Sequence, residues 1–261
     1  MHRMIDGVRL AYDDGGRGDP IVLLHGFALD RSVWDQQYVA LAARRRVVRI
    51  DLRGSGESAC GEGPALMESL AGDVFGLLDA LGVERAVIAG HGMGGFAALA
   101  FFRMYAERVA GIALIASEIE ANSAERSAQC DALIAQLETR GIAAALACYL
   151  PHALAANAAG DVRERVRAVV ARQSAAGASA QLIGIKERVG SGDLLEDLAV
   201  PVALIAGEDD PWIPAAAAGP VAAALADCRV ERLAGVGHLP MLEAPAATTA
   251  ALEALAAHCY R

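Results

Sequence analysis

Lysine is almost missing from this 261-residue chain: Lys186 is the only one, set against many arginines and a great deal of alanine. That bias reads as the codon preference of a GC-rich bacterial genome rather than as function. Long apolar runs are missing too. No window of ~18 uninterrupted apolar residues occurs, which excludes a spanning helix; the nearest candidate, Gly141 to Gly160, contains Pro151, His152 and Asn157. The opening residues Met1 to Gly7 have no apolar core of the secretory type. Cysteine is sparse and scattered: Cys60, Cys130, Cys148, Cys228 and Cys259 lie far apart, with no CxxC. An odd, dispersed set argues against a disulfide framework or a zinc site, and makes a reducing cytoplasm the expected location. Positive charge is in deficit, with 23 basic against 32 acidic residues and a formal net charge of −9. A broad nucleic-acid surface and binding to anionic membranes are therefore not expected.

What is present is apolar and globular. The chain is 55% hydrophobic and 21% charged, long enough to bury a substantial core and too apolar for disorder to be its main state. Met4 to Tyr12 alternates and carries the turn dipeptide Asp6-Gly7, which predicts a β-hairpin. Short apolar runs follow at 21–24, 47–50, 86–89, 112–115 and 202–205, each suited to a strand buried on both faces of a parallel sheet. Helical patterns lie between them at 67–81, 94–105, 215–226 and 246–258. Alternating strands and helices predict an α/β fold with a mostly parallel sheet. Between Ser117 and Val200 the alternation stops for ~80 residues, too many for a loop in a compact domain. Ala-rich helical patterns at 127–139, 142–149 and 162–173 fill the gap. The expected organisation is a core of 1–117 and 200–261 with a helical cap, 118–199, inserted into it.

Gly90-His91-Gly92-Met93-Gly94-Gly95 follows a strand and opens a helix. Three readings fit it. Gly90, Gly92 and Gly95 spell the GxGxxG of dinucleotide binding, with helix-terminal amides on a pyrophosphate and Glu118 near a ribose. Gly90, Gly92 and Gly94 also spell the G-x-S-x-G of a nucleophile elbow, with glycine in the place of serine. The third reading is a glycine-rich turn without chemistry. Three further segments bear on the choice. His25-Gly26-Phe27 follows an early strand and presents the Phe27 N–H to a developing oxyanion. Gly207 to Pro214 places Asp210 beyond a late strand, and Gly235-Val236-Gly237-His238 places an imidazole beyond the next. Active sites of open α/β sheets gather at that edge.

On these residues the sequence resembles the α/β-hydrolase superfamily along nearly its whole length. HGF at 25–27, DLRGSGES at 51–58, the elbow at 90–95, GxxDxxxP at 207–214 and GHxxxxExP at 237–245 occur in order. Within the superfamily the chain resembles small-capped bacterial esterases, enol-lactonases and carbon–carbon bond hydrolases. The resemblance implies an α/β-hydrolase fold and hydrolysis of a small ester, lactone, thioester or β-diketone by Ser-His-Asp acyl transfer. It also implies His238 as general base, Asp210 as its orienting acid, and the amides of Phe27 and Met93 as oxyanion hole. No metal and no organic cofactor is implied; the expected partner is a small-molecule substrate, and a homo-oligomer is compatible with the sequence.

The departure from the family is Gly92, which stands where the resemblance puts the serine. Without a side chain no acyl-enzyme forms there. Three explanations stand: an engineered knock-out, a natural variant in which His238 and Asp210 activate water, or a pseudoenzyme that only binds its ligand. A dinucleotide-dependent oxidoreductase is the remote alternative. Cys60 and Ser117 are the other nucleophiles to weigh. Met93 stands where dehalogenases carry tryptophan, and the cap offers only Tyr149 where epoxide hydrolases use a tyrosine pair. His25, His91, Tyr149 and Trp212 are pocket candidates. Glu243 is expected to satisfy backbone near His238, Asp51 to Ser58 to shape a turn, and Arg163, Arg165 and Arg167 to form a solvated helix face. His2, His152 and His258 are expected at the surface.

Overall fold

Asp6 and Gly7 adopt φ of 43° and 82°, the left-handed pair that a two-residue hairpin turn needs. They join strand β1 (His2–Ile5) to β2 (Val8–Gly16) with Ile5 paired to Val8. The computed structural model describes residues 1–149 and 151–261; Leu150 and the Cys148 side chain, both within the expected cap, lie outside that description. After the hairpin come β3 (Pro20–Leu24), α1 (Asp35–Ala42), β4 (Arg46–Asp51), α2 (Met67–Ala80), β5 (Ala86–His91), α3 (Met93–Tyr105) and β6 (Val109–Ile115). Next come α4 (Ala124–Arg140), α5 (Ala143–Tyr149), α6 (Gly160–Ala171) and α7 (Ala175–Glu187). The chain then returns to the sheet through β7 (Val202–Gly207), α8 (Ala218–Ala224), β8 (Cys228–Leu233), the one-turn α9 (Pro240–Glu243) and α10 (Pro245–Cys259).

The eight strands form one sheet in the order β1-β2-β4-β3-β5-β6-β7-β8. The first two pairings are antiparallel and the remaining five parallel. Alternate residues of each central strand serve opposite faces. Val22, Leu24, Ile88, Leu114 and Leu204 pack with α2 and α3 on one side. Ile21, Leu23, Val87, Ile115 and Ile205 pack with α10 and part of the helical segment on the other. Burial on both faces is why these strands read as unbroken apolar runs.

The chain steps from β3 outward to β4 and then back across β3 to β5. That reversal opens a crevice at the carboxyl ends of β3 and β5, which lie side by side with Leu24 opposite Gly90. The expected helix over 215–226 is instead a 3-10 turn at Ala215–Ala217 followed by α8. Helices α1, α7 and α9 were not legible as helices. In α7 there is no apolar stripe to read, because Gly177 and Gly184 lie hard against the backbones of Gly54 and Ala65. Cys60, Cys130, Cys228 and Cys259 are free thiols. No helix among the described residues is long and apolar enough to cross a membrane.

Candidate active site

Gly92 follows β5 and caps the start of α3 at φ 49°, ψ −114°. Only a residue without Cβ takes that backbone cheaply; any other pays ~1–3 kcal/mol. The turn is tight as well as strained. A Cβ on Gly90 would collide with the backbone of Gly94 and Gly95, and one on Gly94 with Leu24 and His25. A Cβ on Gly92 itself meets nothing closer than His238 Nε2, at 3.5 Å, with the Ala116 carbonyl at 3.9 Å.

His238 follows β8 in the loop capped by α9. Its Nδ1–H donates to Asp210 Oδ2 at 2.7 Å, and its own backbone N–H donates to the Ala153 carbonyl at 2.9 Å. The other oxygen, Asp210 Oδ1, accepts the N–H groups of Trp212 and Ile213 at 2.8 and 3.1 Å. The carboxylate is thus held at both oxygens, and the imidazole is left with Nε2 as its lone-pair nitrogen, facing Gly92. Glu243 ties the loop down by accepting from Gly237, Leu239 and, across in the helical segment, Ala155. On the other side of Gly92 the backbone N–H groups of Phe27 and Met93 find no protein acceptor among the described residues. Met93 is the first residue of α3, whose N–H has no partner within its own helix.

These groups open into a cavity of about 220 Å³. Phe27, Met93, Phe96, Trp212 and Ile213 line it from the core side; Leu133, Tyr149, Leu182 and Ile185 line it from the helices above. The rings of Tyr149 and Trp212 meet edge to face with centroids 5.0 Å apart, and Trp212 meets His238 in the same way at 4.8 Å.

Two expected pocket residues are elsewhere. His25 and His91 do not line the cavity; both are wholly buried. His25 donates from Nδ1 to the Gly26 carbonyl and accepts the Leu52 N–H at Nε2. His91 donates from Nε2 to the His238 carbonyl at 2.7 Å. Burial lowers the pKa of both, and nearby His238 lowers His91 further, so each is a neutral structural ring. Ser117 donates to the Gly92 carbonyl and lines a neighbouring cavity instead, and Cys60 lines neither. Asp51 accepts from Glu57 N–H and from Arg31, which makes it the turn-former expected of it. The arginines of α6 depart from a solvated face. Arg163 donates to the Ala155 and Ala156 carbonyls and Arg165 to the Ser32 carbonyl and Asp35, while Arg167 stays at the surface.

Sequence reasoning missed Gln181, Arg126 and Gln129. Gln181 is 1% exposed on α7; its Oε1 accepts the Ala28 N–H, and its Nε2 donates to Ser55 Oγ at 2.7 Å and the Arg53 carbonyl at 3.3 Å. Its partners lie more than a hundred positions away in sequence, so no local pattern announces it. Arg126 and Gln129 stand one helical turn apart on α4 and share the cavity wall with Cys130 and Leu133. Glu118, weighed as a ribose ligand, is paired with Arg126 and Arg188.

Comparison with known proteins bears on the family and the fold. The profile of the alpha/beta hydrolase family matches residues 21–252. A thermophilic esterase from Thermogutta terrifontis, solved with malate bound, superposes with a TM-score of 0.94 at 30% identity, covering 100% of this chain and 97% of that one. The enol-lactonase of Burkholderia xenovorans LB400 superposes with a TM-score of 0.88 at 27% identity, covering 98% and 99%. The dihydrolipoyllysine-residue acetyltransferase component of the acetoin cleaving system of Pseudomonas putida is 44% identical over 103 residues; this match spans 40% of the chain and only 28% of that protein's length. With nearly its whole length matched and its fold shared with an esterase and a lactonase, the chain belongs to the alpha/beta hydrolase family.

Proposed function

We propose that the site hydrolyses a small ester, lactone, thioester or β-diketone, and that Gly92 occupies its nucleophile position. The observation that carries this reading is the open space between Gly92 and His238: a Cβ there stands 3.5 Å from Nε2, so a serine hydroxyl fits within reach of the base. With serine, the hydroxyl attacks, His238 takes its proton and later returns it to the leaving group, and Asp210 holds the tautomer. The N–H groups of Phe27 and Met93 receive the oxyanion, each worth ~2.7–4 kcal/mol.

With glycine, the same space admits one water, whose share of liquid volume is about 30 Å³. His238 removes a proton from that water, the hydroxide adds to the carbonyl, and the protonated imidazole gives the proton to the departing group: the alkoxide of an ester or lactone, the thiolate of a thioester or the enolate carbon of a β-diketone. Triad knock-outs retain ~10³–10⁴-fold over water through binding and the oxyanion hole, and this is the rate expected of the glycine chain.

The loss of the nucleophile beside an otherwise intact pocket favours one second reading, a protein that binds its ligand without turnover. The test is to assay the chain and its Gly92→Ser variant on p-nitrophenyl esters, lactones and β-diketones, and to treat both with a fluorophosphonate. Faster hydrolysis and a covalent adduct in the variant alone support the hydrolase. Two folded, inert proteins that bind panel members without turnover would replace it with the binder.

A further inference from the structure

The cavity is apolar except on one wall. Among the described residues that line it, Arg126 is the only one with a permanent charge; Gln129 stands beside it one turn along α4, and Asn122 lines the same wall. Arg126 is 35% exposed and uses two of its N–H donors within the protein, on Glu118 Oε1 and the Trp212 carbonyl. Glu118 is not its partner alone. The same oxygen also accepts from Arg188 Nη2 at 2.9 Å, and Arg188 is 3% exposed, with its guanidinium 3.9 Å above the Phe96 ring. Two guanidinium groups thus share one carboxylate, which leaves one positive charge unbalanced in the hydrogen-bonded set. Glu120 is exposed and its carboxylate acts on Arg188 only through space, with no ion pair to it, and Asp131 is taken by Lys186 at 2.9 Å. Burial pushes the Arg188 pKa down; Glu118 and, more weakly, Glu120 offset part of that, and neighbouring Arg126 adds to it. Beside an apolar cavity, a cation that only partly shares its carboxylate favours an anion.

Resting on the hydrolase reading, we infer that the substrate carries a carboxylate, which Arg126 and Gln129 receive at the α4 wall while the scissile carbonyl lies at Gly92 and His238. The substrate class is then the half-ester of a small dicarboxylic acid. Phe27, Leu133 and Ile185 pack its aliphatic middle.

The glycine chain tests this without turnover. Titration calorimetry compares monomethyl glutarate, a monoanion, with dimethyl glutarate, its neutral counterpart, on the parent chain, Arg126→Ala and Arg126→Lys. The monoester is expected to bind the parent at least tenfold more tightly than the diester. Arg126→Ala should remove that preference by weakening the monoester far more than the diester, and Arg126→Lys should restore part of it. Equal binding of the two esters, binding of neither, or an equal loss of both in Arg126→Ala would overturn the inference. Hydrolysis by the Gly92→Ser variant is scored separately. A monoester preference without turnover keeps the carboxylate subsite and rejects the hydrolase, while turnover without the preference does the reverse.

Discussion

Gln181, on α7, accepts the backbone N–H of Ala28, the residue directly after Phe27. Ala28 is buried at φ 53°, a left-handed backbone that a non-glycine residue holds only when its surroundings insist on it. Gln181→Met keeps the bulk but strips the Ala28 N–H, Ser55 hydroxyl and Arg53 carbonyl of their partner. We expect a loss of about 1–3 kcal/mol in urea unfolding. In the Gly92→Ser background we also expect kcat to fall about tenfold at constant KM, a fraction of the 10²–10³ that removal of an oxyanion donor costs. An unchanged kcat would show that the Phe27 loop holds its place without Gln181.

Strain at position 92 makes a separate prediction. At φ 49° a Cβ is sterically tolerated by its neighbours but not by its own backbone. Gly92→Ala should therefore fold and melt lower than the parent by ~1–3 kcal/mol. For a chain of this size that is about 2–4 °C for each kcal/mol. A melting temperature equal to or above the parent's would mean that the turn relaxes when substituted.

The dyad is testable in both backgrounds. In Gly92→Ser, Asp210→Asn should lower kcat about 10⁴-fold by presenting the wrong tautomer. In the glycine chain, His238→Ala should lower hydrolysis to the share that binding and the oxyanion hole supply without a general base. Activity left unchanged by His238→Ala would place the general base elsewhere.

Stability should respond to pH in two windows. His25 and His91 titrate below the ordinary 6.5 because burial disfavours their charged form. As pH falls below about 6.5 the unfolded chain takes up protons that the folded one refuses, so stability falls. Asp30 has the opposite history. Burial raises its pKa, but hydrogen bonds from Arg172 and Ser32 outweigh that and leave it well below the ordinary 3.8. Its contribution is present at neutral pH and is lost as pH falls below about 3.8. Denaturant midpoints from pH 8 to 3 should be flat above 7, decline from about 6.5 and steepen below 4. A flat profile between 6.5 and 5 would show that the two histidines are not held neutral.

Much of the fold was legible because its signals are local. Strands buried on both faces show as apolar runs, and the hairpin turn shows as Asp6-Gly7. The region between β6 and β7 shows as a stretch where strand signals stop. The candidate site was legible for a related reason: strand ends, glycine turns and the residues after them carry a short pattern. Gly92, Asp210, His238, Phe27 and Met93 could all be named from such patterns. His25 and His91 sit in the same patterns, yet the chain's packing seals both rings away from the cavity.

By itself, then, the sequence determined the alternation of strands and helices, the glycine spacing that a tight β5–α3 turn requires, and the absence of a side chain at position 92. Those follow from steric rules acting within a few residues. Tertiary structure alone decided how far His238 Nε2 stands from Gly92. It also decided that Gln181 holds the loop after Phe27, and that Arg126, at the cavity wall, shares Glu118 with Arg188 behind it. These depend on side chains far apart in sequence meeting across the gap between sheet and helices, and no pattern along the chain records such a meeting.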